Sequence, residues 1–201
     1  MSRSLPPIGE LEARYYPTVF CVDASLLAEG KGAEVNKVFQ TFREITHEKD
    51  RYCRLDLAVL AYGIETTLVR DFSIEESFAF PSFSEQRRIK IGPCLQEALR
   101  MFDEKKLVYR EKALDYRQPI LVILSSGHAN DKFDEVWQEC QERIENGKLT
   151  VFCVSIGDYV AARFHLFPGE PFYEVMSHDD PKLKRFMWEM IFPWQFSGVE
   201  G

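Results

Sequence analysis

The stretch Ile120-Leu-Val-Ile-Leu-Ser-Ser-Gly127 decides the fold. Five aliphatic residues in a row leave no polar face, so the segment reads as a strand covered on both sides, the pattern of a parallel sheet packed between helices. It delivers Ser125-Ser-Gly-His128 to its carboxyl end. Thr18-Val-Phe-Cys-Val22 has the same character and runs into Asp23-Ala-Ser25, and Thr150 to Ser155 is a third buried strand.

Between these strands the apolar period changes from continuous to helical. Val35, Val38, Phe39, Phe42 and Ile45 recur with polar residues between them, which predicts an amphipathic helix of about four turns. Leu95, Ala98, Leu99 and Phe102 mark a second helix, opened by Gly92-Pro93 and running to about Tyr109; proline suits a first helical turn, where no N–H is needed. Phe133, Val136, Trp137, Cys140 and Ile144 mark a third, stopped by Asn146-Gly147. Leu55 to Tyr62 and Thr66 to Phe72 are strands joined by only Gly63-Ile-Glu65, so short a link that they form a hairpin with one antiparallel edge strand. Gly30-Lys-Gly32 is a turn rather than a phosphate loop, because it lacks the Lys-Ser/Thr ending. Ser73 to Lys90 reads as a surface loop; a short helix at 159–164, a strand at 172–175 and a last helix carrying Leu183, Phe186, Met187 and Ile191 complete the order. The alternation predicts a Rossmann-like, doubly wound α/β/α sandwich with a mostly parallel six-stranded sheet and one antiparallel edge strand.

The 201 residues fit one domain, with an N-terminal extension over 1–15, the α/β domain over 16–192 and a tail over 193–201. A net charge of −7, with no basic block longer than a pair, argues against nucleic acid as a partner. The N-terminal residues lack the apolar run of a signal peptide, and no segment is long and apolar enough for a membrane span. Five dispersed cysteines, an odd number without a C-x-x-C pair, point to a reducing, cytoplasmic location, with Cys21, Cys140 and Cys153 read as small buried hydrophobes.

A strand ending in Asp-x-Ser, an amphipathic helix, a hairpin, a helix opened by a Gly-containing loop with Leu-x-x-Ala-Leu, and a buried strand ending in a Ser-x-Gly corner together resemble the von Willebrand factor A (vWA) family. Tyr109 to Gly127 is similar in spacing to the TerY-type tellurium-resistance branch. The resemblance implies a protein-interaction module whose metal-dependent adhesion site (MIDAS) holds a divalent cation through Asp-x-Ser-x-Ser, a Thr in a Gly-Thr loop and an Asp in a Thr-Asp-Gly corner. Here Asp23 and Ser25 match the first motif, but its second Ser position is Leu27. The Thr position is Pro93, or Cys94 if the register slips by one, and the corner Asp is Ser126.

The resemblance therefore implies a degenerate site with no cofactor, and Asp23 is expected to cap a neighbouring N–H instead. The alternative keeps weak magnesium binding at Asp23, Ser25 and Ser126, with Glu29 or Asp131 swinging in; magnesium usually needs more charge than one carboxylate. A second alternative is a thiol enzyme, with Cys94 in the first turn of a helix, its pKa lowered by the dipole, paired with His128; Asn130 is the nearest candidate to orient the histidine. Phe80, Phe83, Trp194 and Phe196 lie in unusually aromatic loop and tail segments and either anchor a partner or fold back on the domain's own helices. The expected function is non-enzymatic binding of a protein partner; the TerY-type resemblance implies a bacterial stress-response or phosphorylation-linked setting.

Overall fold

The computed structural model describes residues 14–49, 53–73, 80, 82–84, 88–127, 129–156 and 175–191. In chain order these form β1 (Arg14–Asp23), α1 (Ala24–Ala28), α2 (Gly32–Lys49), β2 (Cys53–Tyr62), β3 (Thr66–Ser73), α3 (Gly92–Glu111), β4 (Asp115–Tyr116), β5 (Ile120–Ser125), α4 (Asp134–Glu145), β6 (Thr150–Ser155), β7 (Val175–Ser177) and α5 (Leu183–Ile191).

Six strands pair in the order β3-β2-β1-β5-β6-β7. All the pairings are parallel except β2 with β3, which is antiparallel and places β3 at an edge. This is the six-stranded, doubly wound sheet that the alternation of buried strands and amphipathic helices predicts. The dipeptide strand β4 adds a short seventh member beside the start of β1, pairing Arg14 with Asp115 and Tyr15 with Tyr116. Two residues carry no periodicity, so no pattern in the sequence announces it. β1 likewise begins at Arg14, four residues before the apolar run that marks it in the sequence.

Because strand side chains alternate between faces, every central strand supplies two cores. Phe20 and Val22 of β1, Val122 and Leu124 of β5, and Phe152 and Val154 of β6 face α2 and α5, where Phe39, Phe42, Phe186 and Met187 cover them. Val19 and Cys21, Leu121 and Ile123, Val151 and Cys153 face α3 and α4, against Leu95, Leu99, Phe102, Trp137 and Cys140. Each fully buried Phe or Leu contributes about 1.5–3 kcal/mol, so the cores on the two faces fix the sheet between the helices. Cys21, Cys94, Cys140 and Cys153 are all buried free thiols in the second core; for Cys21, Cys140 and Cys153 this is the packing role expected of them.

Away from the candidate site, one buried ion pair ties α3 to the sheet. Lys105 Nζ lies 2.7 Å from Asp56 Oδ2 of β2, and Tyr109 donates its hydroxyl to the same oxygen at 2.8 Å. Burial and the Asp56 charge push the Tyr109 phenol well up. Lys105 also lies 5.0 Å from the ring centre of Phe72.

The Gly30 turn is present as read. Gly30 adopts φ +80°, and Gly30 N–H and Lys31 N–H donate to the carbonyls of Leu27 and Leu26, closing α1. Phe80 is half-buried and packs against the core, its ring 5.8 Å from that of Phe39 in α2. Phe83 is half-buried. Trp194 and Phe196, the short helix read at 159–164 and the first residues of the strand read at 172–175 lie outside the described residues. Among the described residues no helix is long and apolar enough to cross a membrane.

Candidate functional site

In an open α/β sheet the loops beyond the carboxyl ends of the strands form the natural ligand face, at the point where the winding reverses. That point here lies between β1, whose crossover through α2 leads to β2 on one side, and β5 on the other. β1 ends in Asp23 and β5 ends in Ser125; the register that pairs Val22 with Leu124 brings the two ends level.

Asp23 is fully buried, and both of its oxygens are occupied. Oδ1 accepts the Ser25 N–H at 2.9 Å and the Ser25 hydroxyl at 2.7 Å. Oδ2 accepts the Ser126 hydroxyl at 2.8 Å and, more weakly, the Ser126 N–H at 3.4 Å. Asp23 is thus the N-cap of α1, the capping role expected of it, and at the same time a tie between the first and last loops of the site. The sequence pattern assigns no element to residues 24–28. They form a five-residue helix that buries Leu26, while Leu27 is half-buried and packs on the core.

Gly127 follows with φ +93°, a backbone that glycine adopts without strain, and its N–H donates to Ser125 Oγ at 2.9 Å. Tyr62, which the sequence reading did not single out, lies beside Asp23 in the β1–β2 register. It donates its hydroxyl to the Leu124 carbonyl at 3.3 Å. Burial, reinforced by the nearby Asp23 charge, pushes its phenol well up. The period-2 alternation of β2 could have shown that Tyr62 faces the same side as Asp23.

The loop after β5 grips the loop before α3. Asn130 N–H donates to the Ile89 carbonyl at 2.7 Å, and the Ile89 N–H returns a bond to Asn130 Oδ1 at 2.9 Å. Asp131 accepts the N–H groups of Ile91 at 3.0 Å and Gly92 at 2.8 Å, one on each carboxylate oxygen. These are donors that a helix start leaves open, and a carboxylate there also suits the helix dipole. Asp131 thus holds the start of α3, and Asn130 holds the backbone of Ile89. The contact is close: a Cβ on Gly92 would stand 2.9 Å from Asp131 Oδ2 and 3.0 Å from Phe133 Cβ. Glu29 is exposed at the C-terminal end of α1.

Pro93 is exposed on this face and supplies no side-chain oxygen, whereas Cys94 turns inward and is fully buried. Desolvation pushes its thiol well up, and the Cys21 thiol beside it adds to the shift. This corrects the expectation of a dipole-lowered pKa: removal from water outweighs the partial charge of the helix end. His128 lies outside the described residues. The oxygens that converge are one carboxylate and two hydroxyls, and among the described residues no three His, Cys, Asp or Glu side chains are grouped to hold a metal ion.

No protein-family model and no curated protein matches the chain. Solved structures do. The manganese-loaded TRAP protein of Plasmodium vivax superposes with a TM-score of 0.57 at 16% identity, over 91% of this chain and 73% of that one. The VWA domain of SpRpn10 superposes with a TM-score of 0.50 at 12% identity, over 86% of this chain and 93% of that one. The chain has the von Willebrand factor A fold. A vWA protein from Catenulispora acidiphila (TM-score 0.57, 16% identity) agrees over 89% of this chain and 42% of that one. Proximal thread matrix protein 1 of the mussel byssus, solved with a zinc-occupied MIDAS motif, agrees over 92% of this chain with a TM-score of 0.53 at 16% identity. The chain spans a little under half of the byssus protein, 46% of its length.

Proposed function

We propose that this chain is a non-enzymatic protein-interaction module that presents its MIDAS face without a bridging cation. The observation that carries the reading is the saturation of Asp23: each carboxylate oxygen already accepts a short bond from a serine. One carboxylate with two hydroxyls is a poor match for magnesium, which dehydrates reluctantly. Leu27 and Pro93 bring no side-chain oxygen, and Asp131 is committed to the start of α3. The bonds from Asp23 to Ser126 and from Asn130 and Asp131 to residues 89–92 brace the three loops against one another, which is the work a shared cation would otherwise do. The buried, high-pKa Cys94 supports the non-enzymatic part of the reading.

One feature favours a second reading. The same three side chains bring their oxygens together, and oxygen ligands are what a hard cation selects; weak magnesium binding at Asp23, Ser25 and Ser126 is therefore the alternative. Calorimetric titration with magnesium and manganese separates the two. The proposal expects no saturable heat, and micromolar binding abolished by Asp23→Ala would overturn it. The TerY-type spacing of residues 109–127 further suggests a cytoplasmic member of a stress-response or phosphorylation-linked complex. Neighbouring kinase, phosphatase or tellurium-resistance genes would support that setting, and a secretion or adhesion operon would contradict it.

A further inference from the structure

A groove of about 670 Å³, with Gly92 and Pro93 in its lining, opens between the starts of α3 and α4. We propose that this groove receives an arginine- or lysine-bearing segment of a protein partner. The inference rests on the interaction-module reading and deepens it by naming the chemistry of the partner. The volume falls within the range of sites that take a ligand side chain or small molecule, and the groove lies at the strand carboxyl ends, where this fold class binds.

Two features of the lining favour a long basic side chain. Pro93, Phe133 and Val136 supply apolar wall, and each is at least partly accessible; such a wall suits the methylene stem of lysine or arginine. Asp134, Glu135 and Glu139, all exposed, supply carboxylates around it. The countercharges are Lys132 in the lining and Arg143, which bonds Glu139 at 2.6 Å. Asp134 and Glu135 also complement the α4 dipole, whose N-cap residue Phe133 has no side-chain capping hydrogen bond. That role keeps them at the rim, and three carboxylates against two cations leave the rim negative.

An acidic partner segment meets the opposite situation. The N–H groups of Ile91 and Gly92 at the start of α3 are already taken by Asp131, and the Asp23 carboxylate is buried at the end of β1. With no cation to invert that field, like-charge juxtaposition disfavours a carboxylate ligand. Face and groove therefore select a cationic segment.

The test uses two blocked pentapeptides identical except that one carries two arginines and the other two glutamates, titrated against the isotope-labelled full chain by amide NMR. The expected result is that the arginine peptide shifts the amides of Gly92, Gln96 and residues 132–139. Glu135→Gln with Glu139→Gln should weaken that binding about fivefold, the scale of two exposed ion pairs, and added salt should weaken it further. Unperturbed amides elsewhere show that the double variant stays folded. The proposal is overturned if the groove amides do not move with millimolar arginine peptide, if the double variant binds as well as the parent, or if the glutamate peptide shifts the same amides as strongly. Magnesium-dependent binding of the glutamate peptide around Asp23 would overturn the cation-free reading as well. Arginine-peptide binding on another face, indifferent to magnesium, would overturn only the groove.

Discussion

Replacing Asp23 by asparagine removes one charge and almost no volume, so it tests directly what the carboxylate does. Three short bonds end on it, at 2.9, 2.7 and 2.8 Å. Bonds to a charged acceptor are worth about 1.5–3 kcal/mol each and neutral ones about 0.5–1.5, so the exchange loses roughly 3 kcal/mol in hydrogen bonding. Against this, a fully buried ion carries a desolvation cost of several kcal/mol, which asparagine lacks. The asparagine oxygen can keep the two Ser25 donors, and its amide can donate to the Ser126 hydroxyl. The two terms offset, and Asp23→Asn should unfold within about 1 kcal/mol of the parent. Asp23→Ala keeps no acceptor for these donors and should lose about 2–4 kcal/mol, combining a lost cap with unsatisfied N–H and O–H groups. Urea unfolding of the three proteins, in excess magnesium and in chelator, is the assay. A resident cation at about one hundred times its Kd would add about 2.7 kcal/mol. Were the parent to gain stability of that order in magnesium while Asp23→Asn gained none, the reasoning behind the cation-free face would be refuted.

Three further outcomes follow from the same contacts. Gly92→Ala forces a Cβ to within 2.9 Å of Asp131 Oδ2 and should lower stability by about 1–3 kcal/mol, as overpacking does; a change in urea midpoint worth less than about 0.5 kcal/mol would mean that the two loops separate easily. Cys21, Cys94, Cys140 and Cys153 are buried, with the Cys140 thiol pushed up to about 12 by burial, so all four should resist a thiol reagent until denaturant is added; rapid native labelling of Cys94 near neutral pH would revive the thiol-enzyme alternative. Asp103 is held below the ordinary carboxylate range by the paired Arg143 contacts at 2.8 Å. Its folded pKa lies below its unfolded one, so its contribution is present above about pH 5 and is lost as the pH falls through the folded value. The side chain is half exposed, which limits the effect to less than about 1 kcal/mol; Asp103→Asn should therefore differ from the parent at neutral pH and converge with it in acid, and a constant difference across that range would contradict the assignment.

The sequence by itself determined the main strands and helices and their order, but not the short α1 or β4. Strands buried on both faces show as unbroken aliphatic runs, and covered helices show the 3.6-residue period, so Ile120 to Leu124 and Val35 to Ile45 declare their class without help from distant residues. A three-residue link admits only a hairpin, which placed the antiparallel edge strand. The candidate position was legible in part, because Asp23 and Ser25 are close in the chain and a capping aspartate is a local signal.

Only the tertiary structure decided what each side chain at that position meets. Ser126 reaches Asp23 from 103 residues away, and Asp131 reaches Gly92 across 39; spacing along the chain carries no information on such pairings, since they depend on strand order and register. For that reason Asp131, a plausible cation ligand by type, proved to be the cap of α3, and Asn130 a clasp on Ile89. Cys94 shows the same limit in its electrostatics: its place in a helical first turn is local, whereas the burial that raises its pKa is created by the sheet and helices packed around it.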